Sequence, residues 1–183
     1  MITDERLVTY INSLGAELPP YLRRIESAAH AARVPVIRRE TQGLLRLLLA
    51  LKRPKRILEV GTAVGFSALF MAEYAPADAR ITTIENYEKR ISEAREHIKQ
   101  AGRMDQITLL AGDAAQILPT LDDAYDLIFM DAAKGQYLFF LPEALRLLGA
   151  EGVLVSDNVL QDGDILESRF AVTRRNRTIH KRM

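Results

Sequence analysis

The hydrophobic pattern of the chain changes period repeatedly from residue 54 onward. Short runs of aliphatic and β-branched residues are typical of strands buried on both faces of a parallel sheet, and we place five of them at 57–60, 80–84, 107–111, 125–130 and 153–155. Helical spacing follows the first four runs, in a helix that starts near Gly65 and over 87–101, 114–118 and 136–148, the last ended by Gly149. This alternation predicts an α/β fold with a doubly wound, mostly parallel sheet and helices on both faces.

Three further helices are predicted before the first strand. Leu7, Ile11 and Leu14 form an apolar stripe on the first, the second spans 21–33, and the third spans 40–52. The third is so rich in leucine that we expect it to be covered on more than one side. These helices could supply a lid, a dimer face or a platform for a substrate.

Length and composition favour one domain with a substantial core, because the chain has 183 residues of which 48% are hydrophobic. We expect residues 1–53 to form a helical cap and 54–183 an α/β core. The chain has no cysteine, which excludes disulfides, thiolate metal sites and cysteine nucleophiles. It also lacks a signal peptide and a run of membrane-spanning length, so we expect a cytoplasmic protein with no membrane partner. The net charge of +1 predicts no acidic partner by itself.

The turn between the first strand and the following helix is the first candidate for a ligand site. Gly61 and Gly65 let the backbone bend and approach a ligand closely, and the free N–H groups that open the helix face it. The spacing differs from the G-x-G-x-x-G pattern of dinucleotide sites. Glu59 suits a ligand with an amino group or a sulfonium. The alternatives are a plain strand-to-helix corner and a glutamate that only caps a neighbouring N–H.

Acidic residues also end the second and third strands. In an open parallel sheet, ligands lie outside the carboxyl ends of the strands, and an acid after the second strand can accept from the two hydroxyls of a ribose. Glu85 has this position, although it could also be a solvated loop acid near Lys89. Asp113 could accept from an exocyclic amine such as that of adenine, or serve as the N-cap of the next helix, or do both.

A different set of oxygen donors follows the fourth and fifth strands. Asp131, Asp157 and Asn158 lie at strand ends that we expect to be neighbours. Two carboxylates and an amide, without histidine or cysteine, suit a hard cation such as Mg²⁺ or Ca²⁺ rather than zinc. Lys134 is then a candidate base, because a partly desolvated lysine beside a cation can accept a proton near neutral pH. The alternatives are a structural aspartate and an exposed lysine in a loop.

These motifs together resemble those of the metal-dependent, catechol-type O-methyltransferases that use S-adenosylmethionine. The resemblance extends from about Val34 to the end of the chain. The run from Asp131 to Tyr137 looks closest to the bacterial members that methylate 5-hydroxyuridine at the wobble position of tRNA. The matching segments are 57–69, Glu85, Gly112-Asp113-Ala114, Asp131-Ala132-Ala133-Lys134-Gly135-Gln136-Tyr137 and Asp157-Asn158-Val159-Leu160.

The resemblance implies a role for each matching residue and a Rossmann-like, cytoplasmic methyltransferase that forms a homodimer. Its cofactors would be S-adenosylmethionine and Mg²⁺ or another hard divalent cation. Lys134 would help to deprotonate the acceptor hydroxyl, whose oxyanion would attack the sulfonium methyl in line. The implied ligand contacts are Glu59, Gly61 and Ser67 to the methionine part, Glu85 to the ribose, Asp113 and Ala114 to the adenine, Ile37 over the cofactor, Asp131 beside both cofactor and metal, and Asp157 and Asn158 to the metal.

The sequence departs from the family pattern at two places. Ala63 stands where the animal catechol enzymes have a tyrosine near the cofactor, which weakens any claim of catechol specificity. The sequence ends at Met183, so we expect the sheet to lack the antiparallel strand pair that the family adds after the fifth strand. The fifth strand would then have an exposed edge, unless the sequence is a fragment or something else covers that edge.

The distribution of arginine bears on the substrate. Clustered arginines are an electrostatic footprint for phosphate, although they could equally be a solvated helix face. Three hypotheses remain: a tRNA wobble-uridine methyltransferase, a methyltransferase of small catechols or phenolics, and a non-catalytic RNA-binding or scaffold protein. The basic residues concerned are Arg23, Arg24, Arg33, Arg38 and Arg39 near the start and Arg169, Arg174, Arg175, Arg177, His180, Lys181 and Arg182 near the end.

Overall fold

Within residues 4–159, five parallel strands form the sheet, and each predicted strand is present. The structure, a computed structural model, describes residues 4–159, with Lys134 described by its backbone alone. The strands are β1 (Arg56–Val60), β2 (Arg80–Glu85), β3 (Ile107–Ala111), β4 (Tyr125–Met130) and β5 (Leu148–Ser156). Their order is β3-β2-β1-β4-β5, and every neighbouring pair is parallel. This order, which reverses between β1 and β4, confirms the doubly wound Rossmann-like fold.

Seven α-helices surround this sheet within the described residues. They are α1 (Glu5–Ser13), α2 (Pro20–Ala31), α3 (Arg39–Lys52), α4 (Phe66–Tyr74), α5 (Glu88–Gln100), α6 (Ala114–Ile117) and α7 (Tyr137–Leu147), with 3₁₀ turns at Leu118–Thr120 and Lys134–Gln136. Local chemistry explains several of the ends. Asp4 caps α1 by accepting from the N–H of Arg6, α2 begins at Pro20, and Arg53 ends α3 in the left-handed conformation. None of these helices is long and apolar enough to cross a membrane.

The two faces of the sheet carry separate hydrophobic clusters. Alternate residues of β1 point to opposite faces, so Ile57 belongs to one cluster and Leu58 to the other. The first cluster is built on α4, which is buried along nearly its whole length, and it also contains side chains of α2 and α3. The second is built on α6 and α7. The sheet is therefore covered on both sides, and ligands have access only from its edges and ends.

Within residues 4–159, other elements cover α3 on one side only, so the prediction that it is covered on more than one side is wrong for this part of the chain. Its buried residues are Gln42, Leu45 and Leu49, whereas Leu44, Leu47 and Leu51 are 48%, 55% and 71% exposed. Leucine content alone did not indicate how many neighbours the helix has. The apolar stripe of α1 is likewise exposed.

This one-sided burial leads to a test of stability. Leu45→Ala is expected to lower the free energy of unfolding by about 2–5 kcal/mol, because Leu45 is fully buried and its removal leaves a cavity. Leu44→Ala, one position away on the exposed side, is expected to change it by less than about 0.5 kcal/mol. Chemical denaturation of both variants measures the difference, and equal losses would contradict the observed packing.

The prediction for the last helix and strand needs a correction. The sequence pattern predicts a helix that runs to Leu148 and ends at Gly149, with a strand at 153–155. Instead, β5 begins at Leu148 and includes Gly149 and Gly152, which pack so closely on β4 that added Cβ atoms would lie 3.3 and 2.9 Å from the carbonyl oxygen of Tyr125. A register shift between Tyr125 and Leu127 accompanies this contact. Strand packing therefore requires the glycine at position 152 and leaves little room for a side chain at position 149, and neither glycine ends a helix.

Two expectations concern residues 160–183, which lie outside the described residues. They are the absence of the antiparallel strand pair and the clustering of the basic side chains from Arg169 onward.

Candidate active site

The turn that links β1 to α4 closes tightly against its neighbours. We call residues 61–65 the Gly61 turn. The N–H groups of Gly61 and Thr62 donate to the carbonyl of Ile84 at 3.0 and 3.1 Å, which fixes the turn to the end of β2. Gly61 has φ +105°, and a Cβ added there would lie 2.5 Å from the carbonyl oxygen of Asp131. The glycine thus allows the end of β1 to contact the backbone that follows β4.

Glu59 is fully buried beneath this turn. Its Oε2 accepts a hydrogen bond of 2.5 Å from the hydroxyl of Thr83, whereas Oε1 has no hydrogen-bond partner within the described part of the chain. The alternative role of Glu59 as a cap for a backbone N–H therefore has no support here. A buried carboxylate oxygen without a donor is costly, and it suits a cationic or hydrogen-bonding ligand group.

The surroundings of Glu59 raise its pKa to about 7. Burial is the largest cause, because it disfavours the charged form. The nearby hydroxyl of Ser67 and the hydrogen-bonded hydroxyl of Thr83 oppose this rise, while the negative charges of Asp131 and Glu85 add to it. A positive charge bound nearby would favour the carboxylate form.

Glu85 joins the Gly61 turn to the start of α5. Its Oε2 accepts from the N–H of Ala63 at 2.8 Å, and its Oε1 accepts from the N–H groups of Asn86 and Tyr87, both at 3.0 Å. An ionised carboxylate has about four lone-pair positions. The side chain is half-buried, so it retains capacity for a ligand beside the turn.

Asp113 makes the contact predicted for an N-cap. Its Oδ1 accepts from the N–H of Ala115 at 2.9 Å and so caps α6. The next residue, Ala114, is buried in the second core cluster. Both follow β3 at the carboxyl end of the sheet, on the side of β2 away from β1. The geometry supports the capping role and leaves the adenine contact as a prediction.

Asp131 and Asp157 follow directly after two neighbouring strands. The N–H of Asp131 donates to the carbonyl of Val60 at 2.9 Å, and that of Asp157 donates to the carbonyl of Met130 at 3.0 Å. The expectation that β4 and β5 are neighbours is confirmed. Asn158 adopts φ +50°, so the chain leaves the strand conformation at this point, as two adjacent ligands of one ion require.

The donor chemistry at these strand ends fits a hard cation, with two carboxylates and one amide. Within residues 4–159 there is no group of three or more His, Cys, Asp or Glu side chains that could hold a metal ion, so an amide would have to complete the set. The Oδ1 of Asp157 also accepts from the hydroxyl of Thr41 at 3.1 Å and from the N–H of Asn158 at 2.8 Å.

Two further residues hold these strand ends in place, and the sequence motifs alone indicate no specific role for either side chain. The hydroxyl of Tyr137 hydrogen-bonds to the carbonyl oxygens of Met130 at 2.9 Å and Asp157 at 3.0 Å, and so links the ends of β4 and β5. Thr41 connects α3 to Asp157. Tyr137 is the last residue of the motif that begins at Asp131, and its membership of this motif is the sequence feature that points to a role near the site. No sequence signal separated Thr41 from other helix residues.

The remaining predicted site residues lie around the same end of the sheet or near it. Ser67 is buried in the first turn of α4. Ile37 is buried before α3, and its carbonyl accepts from the side chain of Gln42 at 3.0 Å. Lys134 follows Asp131 in a 3₁₀ turn, but its side chain lies outside the description, so its role as a base stays a prediction.

Part of the N-terminal arginine cluster is paired within the protein. Arg39 contacts the buried Glu26 at 2.8 Å, and Arg23 contacts Glu17 at 3.5 Å. Arg24 and Arg33 are exposed. These pairs reduce the positive charge that the cap could offer to phosphate groups.

The chain is similar to known methyltransferases in both sequence and structure. A sequence model of the O-methyltransferase family matches residues 13–182. The catechol O-methyltransferase of Niastella koreensis is 36% identical over 164 residues, which are 86% of this chain and 74% of that protein.

Two solved structures have the same fold as this chain. The methyltransferase PaMTH1 from Podospora anserina, solved with S-adenosylhomocysteine bound, has a TM-score of 0.86 and 28% identity. The O-methyltransferase TomG from Streptomyces achromogenes, involved in tomaymycin synthesis and solved with S-adenosylmethionine, has a TM-score of 0.83 and 28% identity. In each comparison the match covers 100% of this chain and 83% of the other.

Proposed function

The chain belongs to the O-methyltransferase family, and from that membership we propose that it methylates one hydroxyl of an acceptor that carries a second oxygen next to it. The methyl donor is S-adenosylmethionine. The observation that carries this proposal is the position of the Gly61 turn, whose glycine lies against the backbone of Asp131. A cofactor held at the turn and an acceptor held beside Asp131 would therefore be neighbours.

The residues around the turn fit the cofactor. Glu59 offers an unpartnered buried oxygen to the positively charged methionine part, with Gly61 and Ser67 beside it. Glu85 would accept from the ribose hydroxyls, and its three bonds to backbone N–H groups hold it in place. Asp113 and Ala114 would contact the adenine. Ile37 would cover the cofactor from the segment before α3.

A divalent cation, Mg²⁺ or a similar hard ion, would be held by Asp131, Asp157 and Asn158. When bound, it would hold the acceptor oxygens and favour the ionised form of the hydroxyl. Lys134 would accept the proton of that hydroxyl. Much of the acceleration would come from alignment of the acceptor oxygen with the methyl group, because effective concentration is gained when reacting atoms are held in place.

Two substrate classes satisfy this requirement for adjacent oxygens. A small catechol is favoured by the similarity to the Niastella koreensis enzyme, which is named for that activity. The 5-hydroxyuridine of tRNA is favoured by the Asp131–Tyr137 motif. The ion pairs of Arg39 and Arg23 weaken the case for a phosphate-binding cap, so we propose the catechol class first and tRNA second.

Methyl transfer from labelled S-adenosylmethionine should distinguish these classes. With the purified protein and Mg²⁺, we expect label to enter catechol and not tRNA prepared from cells that lack the 5-methoxyuridine modification. Phenol is the matched control, because it has one hydroxyl and cannot offer two adjacent oxygens. Label in tRNA alone would show that tRNA, and not a small catechol, is the favoured substrate class. Cofactor binding without transfer to either acceptor would favour the non-catalytic hypothesis.

A further inference from the structure

Three buried polar side chains form a hydrogen-bonded chain under the Gly61 turn. Glu59 of β1 and Thr83 of β2 are register partners, and the hydroxyl of Thr83 donates to Oε2 of Glu59 at 2.5 Å. The hydroxyls of Thr83 and Thr62 are also 2.5 Å apart. Glu59 and Thr83 are 0% exposed and Thr62 is 1% exposed. Such a buried network is stable only when its members are hydrogen-bonded.

Counting protons fixes the direction of these hydrogen bonds when Glu59 is ionised. A threonine hydroxyl has one proton to donate. Since Thr83 gives its proton to the carboxylate, Thr62 must donate to Thr83. The series of hydrogen bonds then runs from Thr62 in the Gly61 turn, through Thr83, to Glu59. Each donated proton stabilises the negative charge of the Glu59 carboxylate.

We propose that Thr83 is a positioning residue for the cofactor: it holds Oε2 of Glu59, so that the unpartnered Oε1 stays available to the positively charged methionine part of S-adenosylmethionine. The inference rests on the proposed function, and it assigns to Thr83 a task beyond filling the core. The register partner of Glu59 on its other side is Phe129, which has no polar atom in its side chain. Thr83 is therefore the strand neighbour that can orient the carboxylate.

The charges around Glu59 determine the effect of pH on this arrangement. Glu85 at the end of β2 and Asp131 after β4 disfavour its ionised form, whereas Ser67 on α4 and Thr83 favour it. Because the pKa of Glu59 is raised to about 7, the free protein below this pH holds a neutral carboxyl. Binding of a cation favours the carboxylate, so cofactor affinity should rise with pH and level off above this region.

The test is titration calorimetry of S-adenosylmethionine with the full chain over a range of pH. Thr83→Val keeps the shape of the side chain and removes the hydroxyl. We expect it to bind the cofactor about tenfold more weakly at neutral pH, since a hydrogen bond to a charged group is lost. We also expect the rise of affinity to move to higher pH, because the lost bond favoured the ionised form.

Two matched variants separate this role from packing. Thr83→Ser keeps the hydroxyl and should restore both the affinity and the pH dependence. Thr82→Val changes the same residue type at the adjacent position, on the opposite face of the strand, and should resemble the wild type. A Thr83→Val protein with wild-type affinity and an unshifted pH dependence would overturn the inference.

A third variant covers the case in which Thr83→Val does not fold. Thr62→Val removes the donor at the far end of the chain, and we expect a smaller shift of the pH dependence in the same direction. A folded Thr62→Val protein without this shift would overturn the inference too. If the wild-type protein itself binds no S-adenosylmethionine, the cofactor assignment fails, and the inference fails with it.

Discussion

Gly61→Ala is expected to abolish most of the affinity for S-adenosylmethionine and to destabilise the fold. The new Cβ would lie 2.5 Å from the carbonyl oxygen and 2.8 Å from the carbonyl carbon of Asp131. These are backbone atoms, and the N–H of Asp131 is bound to the carbonyl of Val60, so they cannot move aside as a side chain could. The ends of β1 and β4 must then separate.

The expected cost of this change has two parts. An L-residue at φ +105° loses roughly 1–3 kcal/mol, and overpacking adds roughly 1–3 kcal/mol. The free energy of unfolding should therefore fall by about 2–6 kcal/mol. Displacement of the turn by about 1 Å is enough to reduce a positioned reaction about 10²-fold. Denaturation measures the loss of stability, titration calorimetry the loss of cofactor affinity, and the methyl-transfer assay the loss of rate.

Two other glycines are the controls. Gly102 has φ +65° but no atom within 4 Å of an added Cβ, so Gly102→Ala should lose only the conformational cost of roughly 1–2 kcal/mol. Gly43, inside α3, has neither constraint, and Gly43→Ala should stabilise the helix by up to about 1 kcal/mol. Neither should alter cofactor affinity. A Gly61→Ala protein that behaves like Gly102→Ala would show that the close contact with Asp131 is unimportant.

The strands were predictable because each is a compact apolar run with a clear end. The prediction for β3 and β4 agrees with their observed bounds, 107–111 and 125–130. The prediction for β5 found only 153–155, because its first half contains Gly149 and Gly152. The strand approaches the backbone of Tyr125 closely at both glycines, most tightly at Gly152, and such a contact between distant segments leaves no periodic signal in the sequence.

The same limit applies to the site. Glu59, Glu85, Asp131 and Asp157 could be proposed as site residues because ligands of open parallel sheets bind at the carboxyl ends of the strands, where these acids lie. Thr83 could not, because threonine is common in strands and its importance depends on the register that places it beside Glu59. For the same reason, the contact between Thr41 and Asp157 could not be predicted from the sequence. The two residues are 116 positions apart, and only the fold brings them together.

Asp157→Ala should abolish turnover while the protein still binds S-adenosylmethionine. Most of the proposed cofactor contacts lie on and around β1, β2 and β3, and Asp131 and Ile37 are unchanged in this variant, whereas Asp157 follows β5, two strands from β1. Loss of a residue that only supports a metal ligand costs about 10–100-fold in metal affinity or activity, so loss of a ligand should cost at least about 100-fold. Excess chelator should have the same effect on the wild-type protein.

Direct binding of Mn²⁺, followed by electron paramagnetic resonance, separates the metal from the chemistry. Asp157→Asn keeps an acceptor for Thr41 and the N–H of Asn158 but removes the charge, so it should bind Mn²⁺ weakly and remain folded. Its stability without metal should stay close to that of the wild type, because both hydrogen bonds to this side chain are retained. Asp105→Ala, at an exposed turn, is the control and should leave Mn²⁺ binding unchanged.

Full turnover of Asp157→Ala, or of the wild type in excess chelator, would show that no cation at these strand ends takes part in the reaction.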